Sequence, residues 1–450
     1  MSTRPLERNE WDILRSYARR VWQLRDIDGE LDWKFVTRTS VDPTPAKLLF
    51  PNLRSLHCKF TEEIIPLLHL PFPSLIRLHI HLVSDQDLWM LEDPLKSIVR
   101  TSSNLKRLNI FCDNHSKFNK DPEDIVIISN GICGWSNLQS VTCPQIPLDM
   151  DALVHLSRMP SLAQLTFMLS DVLLDSTAPS DPLSFAALNR LGLHAESLAL
   201  ISKLFPWIRV PAITHFTVVI DHCPSKQDLT LFMANIQAVG MDQTIQEFDL
   251  NQVLYDNAES RVPLLDLDDL WSCMTFHHLR HMNLDLEWDV NLSDDELLVL
   301  GSAWPWLEEL LINTNWGWNR LGITPNGFAL LLETCPSLTS IALAIDTQGL
   351  TKVPATQFRE PSSPSSFKRP FRLNVLDSVI ESGSVNAVAA FFARIVPHVD
   401  FTLTAWEACR VSDYRNLNLY RKRWGDVHSQ ASEVIKKRWL NILCGLFFQS

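Results

Sequence analysis

Glycine is scarce in this 450-residue chain, with only 13 positions, and that scarcity excludes several chemistries. Loops that cradle phosphate need glycine where backbone must approach the anion, and neither GxGxxG nor GxxxxGK[ST] occurs. GxSxG and HExxH are missing too, so neither a nucleophile elbow nor a zinc-protease helix is encoded. No apolar run reaches about eighteen residues, so no membrane span is expected. The start, MSTRPLERNEWD, lacks the apolar core of a secretory signal. Nine cysteines stand singly, without a CxxC pair, and their odd total does not make a disulfide framework. A basic excess is lacking as well. The net charge of −12 argues against a general nucleic-acid binder, which needs a positive face for phosphates. The expected protein is therefore cytoplasmic and/or nuclear, has reduced thiols, is not an enzyme, and holds no cofactor and no metal.

What the sequence has is periodicity. An apolar-x-x-apolar-x-apolar pattern recurs: Leu53/Leu56/Cys58, Leu75/Leu78/Ile80, Leu105/Leu108/Ile110, Leu138/Val141/Cys143, Leu162/Leu165/Phe167, Leu188/Leu191/Leu193. It continues through Ile213/Phe216/Val218, Ile245/Phe248/Leu250, Leu279/Met282/Leu284, Leu307/Leu310/Ile312 and Leu338/Ile341/Leu343, with weaker copies starting at Leu373 and Val396. The alternating part reads as a short strand with one buried face. Helical stretches lie between: Asp149–Arg158, Glu196–Phe205, Lys226–Val239 and Ser293–Ala303. Ser293 and Glu296 have capping-box spacing, and Thr324-Pro325 puts proline at a first helical position. Six copies carry proline two residues before the first apolar position (Pro51, Pro73, Pro160, Pro211, Pro305, Pro336), which ends the helix and turns the chain into the next strand.

One strand–helix unit cannot bury its own apolar side, whereas stacked units can. The predicted fold is therefore α/β: a leucine-rich-repeat-like solenoid of about 12 irregular repeats with parallel inner strands. Residues 1–46 are expected to form an N-terminal helical cap, with Trp11, Leu14, Ala18 and Val21 on its packing face. The solenoid is expected over 47–408, with polar loops at 113–124 and 255–262 and a mobile one near 355–368. That mobile loop contains Ser363-Pro364, where the choice between bland linker and phosphorylation site stays open. Residues 409–450, with eight Lys or Arg against three acids, are expected to form a basic C-terminal cap. An asparagine ladder is incomplete: Asn315 fits, and Asp113, Asp221 and Asp346 are possible substitutes.

Candidate function lies on the outward strand positions. Early repeats place Ser55, His57, Lys59, Arg77, His79, His81, Arg107 and Phe111 there, and middle ones add Arg190, His194 and His215. From the eighth repeat the sign reverses, through Glu247, Asp249, Asp285, Glu309 and later Asp377. Lys59, Arg77, His79, Arg107, Glu247, Asp285, Glu309, Trp316 and Trp318 are the candidate partner-binding residues. The expectation is a charge-bipolar protein ligand with Trp316 or Trp318 as an apolar anchor. His277-His278-x-x-His281 resembles a metal cluster, but it straddles a loop-to-strand start where helical spacing fails.

The segments Trp11-x-x-Leu14-x-x-Tyr17-Ala-Arg-Arg20-Val21-x-x-Leu24 and Leu49-Phe-Pro-Asn-Leu-Arg-Ser-Leu56, followed by irregular repeats, resemble the fungal F-box/leucine-rich-repeat proteins. The resemblance implies a substrate receptor of a cullin-based ubiquitin ligase, in which an F-box recruits the adaptor and the repeats hold a protein substrate. An F-box would precede Trp11, and Pro5-Leu6 does not supply its Leu-Pro-x-Glu motif. Ligase adaptor is thus an expected partner only where an F-box stands upstream. The runner-up reading is a stand-alone scaffold or inhibitor.

Overall fold

A computed structural model describes residues 8–26, 49–83, 88–112, 122–174, 179, 181–253, 262–319, 323–348, 350, 370–396, 400–407 and 416–447. They divide between two compact units, 1–213 and 214–450. The expected loop near 355–368, Ser363, most of the two polar loops, Asp113 and the side chain of Trp11 lie outside the described residues.

The first unit carries seven strands in sequence order: β1 (Gln23–Asp26), β2 (Ser55–Phe60), β3 (Arg77–Leu82), β4 (Arg107–Cys112), β5 (Ser140–Pro147), β6 (Gln164–Met168) and β7 (Arg190–Ala195). The second carries β8 (His215–Ile220), β9 (Glu247–Gln252), β10 (His281–Asp285), β11 (Glu309–Ile312), β12 (Ser340–Ala342), β13 (Phe371–Asn374) and β14 (Phe401–Thr404), also in order. Pairing within each unit is parallel and places equivalent repeat positions side by side, as in Leu56↔Leu78↔Leu108↔Val141 and Phe248↔Met282↔Leu310↔Ile341. Parallel order with interleaved helices makes the chain an α/β repeat protein of the leucine-rich type.

The turn into each strand has a local cause. Leu53, Leu75, Leu162, Ile213, Leu307 and Leu338 donate their N–H to the carbonyl three residues back, closing a four-residue turn. Pro51, Pro73, Pro160, Pro211, Pro305 and Pro336 each occupy its second position, where a fixed φ suits the turn. The strand that follows buries alternate residues: Leu56, Cys58 and Phe60 in β2, Leu78, Ile80 and Leu82 in β3. Helices complete the inner layer, with Leu91, Leu95 and Ile98 from Leu88–Thr101 and Leu153 and Leu156 from Met150–Ser157. Asp149, Ser225, Ser293 and Thr324 cap their helices, and Ser293 with Glu296 forms the reciprocal box. In the second unit Phe216, Phe232, Phe248 and Phe276 meet at centroid distances of 5.5–6.5 Å.

Several boundaries differ from the sequence expectation. β1 lies inside the segment expected to be helical and pairs in register with β2, from Gln23↔Ser55 to Asp26↔Cys58. Its pattern has one clear apolar member, Leu24, so it is too weak to announce a repeat. The helix before it, Arg8–Ala18, buries Ala18 but leaves Ile13 and Tyr17 exposed. The weak copies are misplaced. Leu373 pairs with Ile341 and so holds the second apolar position, and the matching residue of the next strand is Leu403, while Val396 caps a helix end.

The last strand is covered by the C-terminal helix (Leu417–Phe447). Its Trp424, Val427, Ala431 and Ile435 are buried, with Trp424 against Phe392 and His428 against Phe401. Side chains of the helix also serve backbone carbonyls: Arg423 Nη1 donates to Ile380 (2.6 Å), Trp424 Nε1 to Ser378 (2.9 Å) and Arg421 Nε to Trp406 (3.0 Å). His428 Nε2 reaches Phe401 O at 2.9 Å, on the terminal strand itself.

The ladder asparagine is Asn313, not Asn315. Asn313 is fully buried at φ 54°; its Oδ1 accepts from Leu286 N (3.1 Å) and its Nδ2 donates to Trp288 O (2.6 Å). Asn315 instead donates its N–H to Asp285, at the end of the neighbouring strand β10. Replacing Asn313 by Ala orphans two buried backbone groups and places a Cβ residue without side-chain compensation at positive φ, a loss of about 2–3 kcal/mol. Asn313→Gly should lose less, because glycine accepts that φ freely. Equilibrium urea unfolding of both variants measures this; equal loss in both would show that the backbone conformation costs nothing.

Candidate functional site

Outward side chains of each unit form rows, because parallel register sets like positions beside one another about 4.8 Å apart. In the first unit one row runs Ser55, Arg77, Arg107, Ser140, Gln164 and Arg190. A second row runs Arg25, His57, His79, Asn109, Thr142, Thr166 and Gly192, and a third begins Lys59, His81, Phe111. Gly192 is required by the crowding of its row: a Cβ there would sit 2.7 Å from Thr166 Oγ1.

Arg25, Arg77 and Arg107 are exposed, and Lys59, His57, His79, His81 and Phe111 are half-buried. His57 and His79 stack at 5.1 Å with 13° between planes, and His79 and Phe111 at 5.1 Å with 25°. His79 therefore has a ring on each side, from β2 and from β4. Burial, followed by the fields of Arg25 and Arg77, lowers the His57 pKa; burial, then His57 and His81, lowers that of His79. Both rings are neutral at neutral pH.

The second unit is arranged differently. Its first row runs His215, Glu247, His281, Glu309, Ser340, Arg372 and Thr402. Carboxylate and imidazole alternate across neighbouring strands. His215 Nε2 lies 2.9 Å from Glu247, and His281 uses both nitrogens, Nδ1 to Glu309 at 2.6 Å and Nε2 to Asp249 at 3.0 Å. Ionised carboxylates only accept, so both nitrogens of His281 carry protons and the ring is an imidazolium. Burial opposes that charge, but the hydrogen bonds and fields of Asp249 and Glu309 outweigh it and push the pKa up to about 10. The bond from His281 in turn lowers the Glu309 pKa. His281 thus belongs to a charge ladder and not with His277 and His278. Among the described residues no group of three His, Cys, Asp or Glu is placed to hold a metal ion.

Three candidates are withdrawn from the surface. Asp285 is 2% exposed; burial raises its pKa, and it accepts from Thr314 Oγ1 (3.0 Å) and Asn315 N (3.1 Å). Trp318 is fully buried with its indole N–H on Ile312 O (3.0 Å), and Trp316 is 5% exposed. Their polar neighbours suggested an exposed loop, but those polar groups are used internally. Asp377 accepts from the N–H groups of Trp318 (2.9 Å) and Asn319 (2.8 Å), so it braces this loop and is not a free acid. Of the candidates, Lys59, Arg77, His79 and Arg107 are brought together on one face, and Glu247 and Glu309 share a row in the other unit. Sequence reading missed Arg25, hidden in the unrecognised first strand, and the pairing of His281. The latter had a signal: His281 stands two residues after Leu279, as Glu247 does after Ile245 and Glu309 after Leu307.

Fold and rows together define a leucine-rich-repeat protein with a polar, registered strand face in each unit. No protein-family model and no curated protein matches the sequence. Among solved structures the chain is similar to an internalin of Listeria monocytogenes, at 13% identity over 73% of this chain and 82% of that one, TM-score 0.35. It is also similar to the leucine-rich-repeat protein LegL7 of Legionella pneumophila, at 12% identity over 92% and 97%, TM-score 0.30. A chain of the yeast Rad7–Elc1 complex gives 10% identity over 90% and 92%, TM-score 0.37. Strand register and interleaved helices define the fold by themselves.

The His281 ladder makes a pH prediction. Its pKa of about 10 lies above the ordinary 6.5, so its stabilisation is complete below 6.5 and is lost as pH rises through about 10. Imidazole resonances should show His281 still protonated at pH 8. His281→Gln should destabilise the fold by roughly 1–3 kcal/mol near neutral pH and flatten the alkaline fall in stability. A titration of His281 near its ordinary value would refute the ladder.

Proposed function

We propose that the chain is a protein-binding repeat scaffold and serves as the substrate-recognition part of an F-box-type, cullin-based ubiquitin ligase receptor. The observation that carries this reading is the outward strand face: charged, imidazole and aromatic side chains from consecutive strands stand in registered rows on an open sheet. Such rows suit recognition of an extended or folded protein surface, where charge arrangement sets partner choice and encounter rate. The proposed contacts are Lys59, Arg77, His79 and Arg107 in the first unit and Glu247 and Glu309 in the second. The chain itself performs no reaction here and needs no cofactor; ubiquitin transfer belongs to other subunits. The ligase assignment is supported by the resemblance of the segments around Trp11–Leu24 and Leu49–Leu56 to F-box/leucine-rich-repeat proteins. Among the described residues no helix is long and apolar enough to cross a membrane.

Crosslinking followed by affinity purification from the native cell tests both levels. Adaptor and cullin recovered with the protein support the receptor; defined protein partners without them support a stand-alone scaffold or inhibitor. Recovery of no protein partner sinks both. Purified 1–450 should bind purified adaptor weakly or not at all, and joining an F-box upstream of Trp11 should restore binding. Tight binding by 1–450 alone would assign adaptor recruitment to the helix Arg8–Ala18.

A further inference from the structure

The two faces handle charge in opposite ways. In the second unit each outward acid of the first row has an imidazole beside it. In the first unit Arg25, Lys59, Arg77, Arg107 and Arg190 occupy outward positions, and no outward strand position from Gln23 to His194 is Asp or Glu. Arg77 and Arg107 are direct cross-strand neighbours. Among the described residues neither they nor Lys59 forms an ion pair. Like charges opposite one another destabilise a sheet, so this arrangement works against folding unless an anion from another molecule answers it.

We propose that this face of the first unit binds a Glu/Asp-rich protein segment, its carboxylates on Arg77, Arg107 and Lys59 and its path across the His57–His79–Phe111 file. The proposal rests on the protein-binding reading above and narrows its partner to an acidic one. Spacing fits: alternate residues of an extended segment lie about 6.7 Å apart, the same step that separates Arg77, His79 and His81 along β3. The stacked rings also discriminate. A nucleobase needs an open aromatic face, but both faces of His79 are taken by His57 and Phe111. His79 is left with its ring edge, which carries the positive end of the quadrupole and an imidazole N–H, and this suits a carboxylate oxygen. Arg25 from β1, Lys59 from β2, Arg77 and His81 from β3 and Arg107 from β4 face His57 and His79; burial first, then Arg25 and Arg77 beside His57 and His57 and His81 beside His79, keep both rings neutral without a ligand. A bound carboxylate reverses that bias, so binding takes up protons and tightens on acidification.

The test uses the full 450-residue chain and a fluorescein-labelled peptide of alternating Glu and Ser, read by anisotropy. A Lys/Ser peptide and an oligothymidine of similar length serve as comparison probes. The acidic peptide should bind, should weaken with salt, and should bind several-fold tighter at about pH 6 than at pH 7.5. Arg77→Glu with Arg107→Glu should lower affinity about tenfold or more, and Arg77→Gln with Arg107→Gln should lower it less. His57→Gln with His79→Gln should remove the gain at low pH. Circular dichroism confirms that each variant is folded. Equal affinity for acidic and basic peptides, or an affinity untouched by the double Arg variants, overturns the proposal. Tighter binding of oligothymidine, lost in the same variants, reassigns the face to single-stranded nucleic acid and also overturns it. Native protein partners that persist with Arg77→Glu/Arg107→Glu overturn the acidic-segment proposal and leave the scaffold reading standing.

Discussion

Parallel strands spaced by backbone hydrogen bonding force equivalent side chains of successive repeats into lateral contact, and nearly every feature of this protein answers to that constraint. On the inner side it turns one apolar pattern into continuous rows such as Leu56, Leu78, Leu108 and Val141, none of which could leave water alone. On the outer side it gives no residue a private environment. An acid repeated at one position would face another acid across the ladder. The second unit meets this by alternating Glu247, His281 and Glu309, and its histidine holds a proton because two carboxylates demand it. The first unit instead leaves guanidinium beside guanidinium, at Arg77 and Arg107 on neighbouring strands.

The fold was legible in the sequence because one-sided burial of a strand writes itself as alternation, and because proline marks the second position of the turn before it. Leu53 through Leu343 carried that signal with little ambiguity. β1 escaped because a single leucine in a short strand does not rise above its helical neighbourhood, and Leu373 was read one position out because Phe371 and Val375 offer an equally apolar frame. The candidate site was legible for side chains whose role depends on strand position alone: Lys59, Arg77, His79 and Arg107. It failed where a distant partner decides. The loop Asn313–Asn319 looks polar and open, yet Asp377, about sixty residues on, supplies acceptors for Trp318 and Asn319 and lets the tryptophans turn inward. Asp285 likewise reads as a surface acid until Thr314 and Asn315 close over it.

Hydrogen bonds between neighbouring repeats add a second rail behind the strands. Ser102 Oγ donates to Phe72 O (2.8 Å), Trp135 Nε1 to Ser102 O (3.1 Å), and His155 Nε2 approaches Trp135 O at 2.9 Å. Each reaches a carbonyl of the repeat before it, and those of Phe72 and Ser102 also accept the N–H that closes the turn into the strand, from Leu75 and Leu105. In the second unit Trp304 Nε1 to Cys273 O (3.1 Å) does the same, with the Cys335 thiol on Gly301 O at 3.3 Å. The buried Cys273 and Cys335 have pKa values pushed up to about 12 by burial, which keeps them protonated as thiols and unreactive.

The C-terminal helix gives the array a stop. Stacked repeats have no intrinsic length, since the outer edge of each strand is a template for the next, and an uncovered edge invites a foreign strand. With His428 on the carbonyl of Phe401 and Trp424 sunk against Phe392, that invitation is closed by the chain's own continuation. Growth of such a protein by duplication is therefore directional. A repeat gained ahead of Phe371 inserts into a sheet that already knows how to continue, whereas one gained after Thr404 has first to dislodge the helix that ends it.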